Sequence, residues 1–136
     1  MNATATEILE RCRKAKTRIA LSYASEDGID WLDEFDTIGT VGLSCGPMQV
    51  PIMLANARSM GGSAISVSRV ARIRESRGGR ELYRREDYRQ PPLTFRAGRE
   101  TGLPVEVWNG DRVHRRFATE RAMRDWARRL GVEVIR

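Results

Sequence analysis

Histidine occurs once in these 136 residues, and cysteine and lysine twice each. A single histidine, His114, excludes a facial iron site, which needs two. Cys12 and Cys45 cannot complete a four-ligand zinc site with it. Two thiols in no redox spacing build no disulfide framework, so a reducing cytoplasm is the expected location. No apolar run approaches about 18 residues, so neither a spanning helix nor a membrane partner is expected. Residues 1–16 lack an apolar stretch, so no secretory leader is expected there. Neither G-x-x-x-x-G-K-[ST] nor G-x-G-x-x-G occurs, which removes two phosphate cradles. No cofactor is expected. Aromatic residues are 7% of the chain and form no repeated exposed pattern of the kind that stacks single strands. Only Tyr83 and Tyr88 are interleaved with basic residues.

What is abundant is arginine. It supplies 22 of the 24 basic residues. The net charge of +6 is unevenly placed: residues 1–62 carry −2 and residues 63–136 carry +8. Such asymmetry points to a polyanionic partner for the second half. With 40% hydrophobic residues the chain can bury a core, and its length fits one domain over 1–136.

Periodicity predicts a helix from about Thr6 to Thr17, capped by Thr4 or Thr6, with Ile8, Leu9, Cys12 and Ala15 on its apolar face. Residues 18–23 alternate like a strand. Ser25 fits as the cap of a short acidic helix containing Ile29, Trp31, Leu32 and Phe35. Strand character returns over Thr37–Ser44 and from Ile52 to about Ala55, and Asn56–Ser63 reads as a loop. Ala64–Glu75 reads as the longest strand, turning at Gly78-Gly79 into Arg80–Arg84. Residues 86–102 read as an irregular crossover. Val105–Trp108, the turn Asn109-Gly110 and Arg112–Phe117 make a hairpin. Thr119 caps a helix through Leu130, Gly131 ends it, and Val132–Ile135 forms a last short strand. The expected class is α+β: a mainly antiparallel sheet, an N-terminal helix and a C-terminal hairpin–helix–strand unit.

Two patterns suggest chemistry. Gly42-Leu43-Ser44-Cys45-Gly46 matches the letters G-x-S-x-G, but Pro47 and Pro51 stand where a long helix is required. Cys45 with His114 is a formal nucleophile–base pair, with nothing in the sequence to bring them together. An enzyme using Ser44 or Cys45 is the weakest of three readings. In the acidic run that includes Asp33, a helix would put Asp30 and Glu34 on one face, and likewise Asp27 and Asp30, either solvated or docking a basic partner.

The basic surface is more informative. Arg121, Arg124 and Arg128 fall on the outward face of the C-terminal helix. Arg112, His114 and Arg116 share one strand parity, and Arg72 and Arg74 share another strand's outward parity. Arginine forks suit phosphate oxygens and stack on bases. In topology alone, the hairpin-plus-helix of the last third resembles modules such as the arm-type DNA-binding domains of integrases. That resemblance covers about thirty residues and assigns no residue a role. The leading expectation is a small non-catalytic protein. It would bind nucleic acid or a ribonucleoprotein through Arg72, Arg74, Arg112, Arg116, Arg121, Arg124 and Arg128. The alternative is a phage- or plasmid-type accessory protein that inhibits a host defence complex, docking through Asp27, Asp30, Asp33 and Glu34. The last strand and a basic sheet edge fit a homodimer or closure within one chain equally.

Overall fold

The chain opens with helix α1, Ala5–Ala15. The Thr4 hydroxyl accepts the Glu7 amide at 3.2 Å, a cap that stabilises a helix by about 1 kcal/mol. Glu7 lies in its first turn and Arg13 and Lys14 in its last, as the helix dipole favours. Ala5, Ile8, Leu9 and Cys12 are buried, whereas Ala15 at the end of the expected stripe is exposed. The computed structural model describes residues 4–24, 30–43, 51–57, 61–76, 79–89, 92–99 and 101–135. It groups the chain into two compact units, Met1–Tyr88 and Arg89–Arg136. The α+β class expected from the sequence is the one observed.

In the first unit, β1 (Ile19–Ala24), β2 (Asp30–Leu43), β3 (Pro51–Ala57), β4 (Gly61–Ser66), β5 (Val70–Glu75) and β6 (Glu81–Arg84) form one antiparallel sheet. Their order is β4-β3-β2-β1-β5-β6. The first half of β2 pairs with β1 and the second half with β3, and two register shifts lie between Phe35 and Thr40. Such shifts bend a strand and let it pass from one layer to another. A flat sheet would set β4 and β5 about 19 Å apart. The four residue steps from Ser66 to Val70 span about 14 Å at most. The sheet therefore curls, and both halves line the same core under α1: Leu9, Ile19, Leu21, Phe35, Met53, Ile65 and Ile73 belong to one buried cluster.

Three sequence expectations change here. The acidic helix is instead the first half of β2. Leu32, Asp33, Glu34 and Phe35 are all buried, so both faces of the strand are covered and no two-residue alternation marks it. Pairing to β1 and β3 overrides the helical spacing of its apolar residues. The loop expected over Asn56–Ser63 is strand at both ends: Asn56 and Ala57 close β3, and β4 begins at Gly61 against them. The single strand expected over Ala64–Glu75 is interrupted by a 3-10 turn, Val67–Arg69, which carries the chain from β4 to β5.

The second unit contains β7 (Leu93–Ala97), β8 (Val105–Asn109), β9 (Arg112–Phe117), helix α2 (Glu120–Leu130) and β10 (Val134–Ile135). Strand β7 lies inside the segment expected to be irregular. The strand order is β10-β7-β8-β9, with β10 joining β7 in parallel. The hairpin turn uses Gly110 at φ +64°, a conformation that costs any other residue energy. Thr119 caps α2 by accepting the Ala122 amide at 3.1 Å, and left-handed Gly131 ends it. Met123, Trp126, Ala127 and Leu130 turn inward. Leu93, Val105, Val107, Phe117 and Val134 are the other buried apolar residues among the described residues of this unit. No helix among the described residues is long and apolar enough to cross a membrane.

Candidate nucleic-acid interface

Residues paired across antiparallel strands point to the same side of a sheet. In the second unit that rule separates two sides cleanly. Leu93, Phe95, Val105, Val107 and Phe117 occupy one side, where α2 packs. The Phe117 and Trp126 ring centroids lie 5.4 Å apart there, and the Arg115 guanidinium lies over both rings. Thr94, Arg96, Glu106, Trp108 and Arg116 occupy the other side.

That outer side is built around Glu106. One carboxylate oxygen accepts from Trp108 Nε1 at 3.2 Å, and the other accepts from Arg116 Nε at 3.0 Å. The Glu106 side chain keeps 13% of its surface and that of Arg116 keeps 43%. The Arg96 Cζ lies 4.5 Å from the Trp108 ring centroid. A guanidinium over an indole gains about 0.5–1 kcal/mol at an exposed site. The array thus holds two exposed arginines on either side of a half-exposed indole.

A bulge decides which residues join it. Val107 pairs with Arg115 and Trp108 with Val113, which leaves His114 as the extra residue. The parity expected for Arg112, His114 and Arg116 therefore breaks. Arg116 stays on the outer side. His114 lies 5.8 Å from Trp126, ring to ring. Arg112 pairs with Asn109, on the side that carries Leu93. It is exposed at the end of the hairpin.

The remaining sequence candidates divide further. Arg121, Arg124 and Arg128 are exposed on α2, on the opposite side of the unit from Arg96 and Arg116. Arg124 donates to Glu120 at 3.2 Å and Arg128 to Asp125 at 2.6 Å. One flat ligand cannot touch both arginine sets at once.

Arg72 and Arg74 lie on β5 in the first unit. Arg72 is largely buried and donates to Glu81 at 2.8 Å, and Arg84 donates to the same oxygen at 2.9 Å. Burial pushes the Glu81 carboxyl up, but the bonds and charges of Arg84 and Arg72 outweigh this and hold it below its ordinary value. Arg74 donates to the Gly79 carbonyl at 2.9 Å. Its guanidinium is pushed down by burial first and by the Arg72 charge second. Both side chains hold this sheet edge together.

Among the acids, Asp33 and Glu34 keep 5% and 3% of their surface. The Asp33 carboxylate accepts the Glu34 amide at 2.8 Å, and the Glu34 carboxylate accepts the Ser76 hydroxyl at 2.9 Å. Neither presents the solvated face on which docking of a basic partner was expected. Asp30 belongs to β2 by its backbone pairing to Ala24. Asp27, Ser44 and Cys45 lie outside the described residues. Cys12 is buried, and burial and then the Glu75 charge push its thiol up, away from the reactive thiolate.

Sequence reasoning missed Arg96, Glu106 and Trp108. The signal was present in β8, where Glu106 and Trp108 alternate with Val105 and Val107. It was hidden for Arg96, whose strand sits between prolines and glycines. Residues 89–136 hold 11 of the arginines against 6 carboxylates, which places five of the chain's six net positive charges there. No family model, curated protein or solved structure matches this chain.

Proposed function

We propose that the protein is a non-catalytic nucleic-acid-binding protein and that the outer side of the β7–β8–β9 sheet is its contact surface. One observation supports this reading above the others: Arg96 stacked on Trp108, with Arg116 held beside them by Glu106. Two guanidinium groups supply phosphate contacts, and the indole between them supplies a flat apolar surface for a sugar or base. The +5 charge of the unit supplies the long-range attraction.

The test is fluorescence anisotropy of the full chain with short duplex DNA, single-stranded DNA and RNA, at about 50 mM and about 200 mM salt. Binding should weaken steeply with salt. Arg96→Ala and Arg116→Ala should each reduce the salt slope by about one, the release expected per phosphate contact. The Arg121→Ala/Arg124→Ala/Arg128→Ala variant should bind as the parent does. Loss of binding in the α2 variant with none in the sheet variants would move the surface to α2. Absence of binding by all three ligands at low salt would overturn the reading.

A further inference from the structure

Gly98 follows β7 directly and continues its alternation, so it falls on the outer side of the sheet after Thr94 and Arg96. The Glu106 side chain lies against it. A Cβ at position 98 would stand 2.7 Å from both Cγ and Cδ of Glu106 and 2.9 Å from its Oε2. Carbon atoms in good contact are about 3.5–4.0 Å apart, so a side chain at 98 and the present Glu106 position exclude each other.

The backbone does not require glycine here. The described glycines with positive φ are Gly79, Gly102, Gly110 and Gly131, and Gly98 is not among them. What the position supplies is space. The Gly98 amide donates to the Pro104 carbonyl at 2.6 Å, which ties this main chain to the residue before β8. The Glu106 side chain keeps only 13% of its surface, and the Gly98 main chain is part of its cover.

The atoms in the way of a Cβ are the far end of a flexible side chain, so the fold absorbs the change by moving Glu106. That movement reaches the interface. Trp108 Nε1 and Arg116 Nε both donate to this carboxylate. With the sheet behind it, a displaced carboxylate moves outward, onto the face that Arg96 and Arg116 flank. The indole then loses its acceptor, and a negative charge enters the space that a phosphate would occupy.

We infer that Gly98 is a positioning residue of the nucleic-acid interface, one that acts through Glu106 by leaving room for its carboxylate. This inference rests on the reading of the outer face as the contact surface.

The test is a double-mutant cycle on the full chain: parent, Gly98→Ala, Glu106→Ala and the pair together. Each is titrated by anisotropy with labelled single-stranded DNA, duplex DNA and RNA at about 50 mM salt. Gly98→Ala should weaken binding about fivefold in the parent and change it less than about twofold in the Glu106→Ala background, since residues in contact do not act additively. Its urea midpoint should stay close to the parent's, because alanine fits this backbone. In nitrogen–proton correlation spectra, the Trp108 indole resonance, identified by its loss in Trp108→Phe, should shift alike in Gly98→Ala and Glu106→Ala. A purely structural role would lower the midpoint and weaken binding in both backgrounds. Equal losses in the two backgrounds, or an unmoved Trp108 resonance, would overturn the role of Gly98 and leave the interface standing. Failure of the parent to bind any of the three ligands would overturn the interface and this role with it.

Discussion

The Arg96 guanidinium stacks on the Trp108 indole, with Cζ 4.5 Å from the ring centroid, on the sheet face that α2 leaves uncovered. The two residues are on neighbouring strands, and their alignment follows from the register that sets Thr94 against Trp108 and Arg96 against Glu106. The stack restricts a long side chain that would otherwise lose rotamer freedom on meeting a ligand. Trp108→Ala should therefore cost nucleic-acid affinity in two ways, through the lost apolar surface and through release of Arg96. Stacking on aromatic side chains contributes about 1–3 kcal/mol per base, so a loss of roughly tenfold or more is expected. Anisotropy titrations of the variant against the parent, with the same labelled duplex and single strand, check this. Unchanged affinity would show that the indole does not touch the ligand.

Glu106 gives the opposite expectation. Its carboxylate orients Trp108 and Arg116, but it also places a negative charge at the centre of the face. Glutamine keeps an acceptor for the indole N–H and removes the charge. Glu106→Gln should therefore raise affinity several-fold, in keeping with the loss of one partly solvated ion pair worth about 1 kcal/mol or less. Its salt slope should match the parent's, because Arg116 contacts phosphate in both. Weaker binding would mean that the charged bond is needed to hold Arg116 in place.

The C-terminal unit was largely legible in the sequence because its signals are local. Asn109-Gly110 specifies a tight turn, Thr119 and Gly131 bound α2, and Trp126 sits on the inward helical face. The α1 boundaries were legible for the same reason. What the sequence did not reveal depends on distant partners. The acidic run around Asp33 reads as helix until β1 and β3 are known to flank it. The His114 bulge cannot be seen in the alternation of β9, because it arises from the register of β8 against it. That one extra residue removes Arg112 from the face of Arg116 and splits the expected arginine stripe. Arg96 escapes a sequence reading because Leu93–Ala97 is short and gains its strand identity from pairing with β8 and β10.

The half-buried Tyr23 links the fold to alkaline pH. Burial, and then the Asp33 charge, pushes its phenol up from 10 to about 12. The fold therefore keeps a proton that the unfolded chain gives up in that interval. Tyr23 contributes its full stabilisation below about pH 10, and that contribution falls as pH rises toward 12. Tyr23→Phe should flatten this part of the stability profile. Urea unfolding of parent and variant at several pH values checks the slope. Absorbance at alkaline pH should show an ionisation near 12 in the parent that Tyr23→Phe removes and that Asp33→Asn brings forward. Identical slopes in parent and Tyr23→Phe would refute the linkage.

Both helices end on a left-handed residue, but only one of them uses glycine. Lys16 closes α1 at φ 55°, and Gly131 closes α2 at φ 67°. The left-handed conformation costs a residue with a Cβ about 1–2 kcal/mol. Glycine avoids that cost but gives the unfolded chain more freedom, which offsets about 0.5–1 kcal/mol. Lys16→Gly should thus stabilise the protein by up to about 1 kcal/mol, and Gly131→Ala should destabilise it by about 1 kcal/mol. The Lys16 amide donates to the Arg13 carbonyl at 3.2 Å and the Thr17 amide to the Cys12 carbonyl at 3.0 Å. Both are main-chain bonds that glycine retains, so the cap itself survives the substitution. Urea midpoints measured for the two variants should move in opposite directions. A fall in both would mean that the Lys16 side chain stabilises the end of α1 by more than its backbone strain costs.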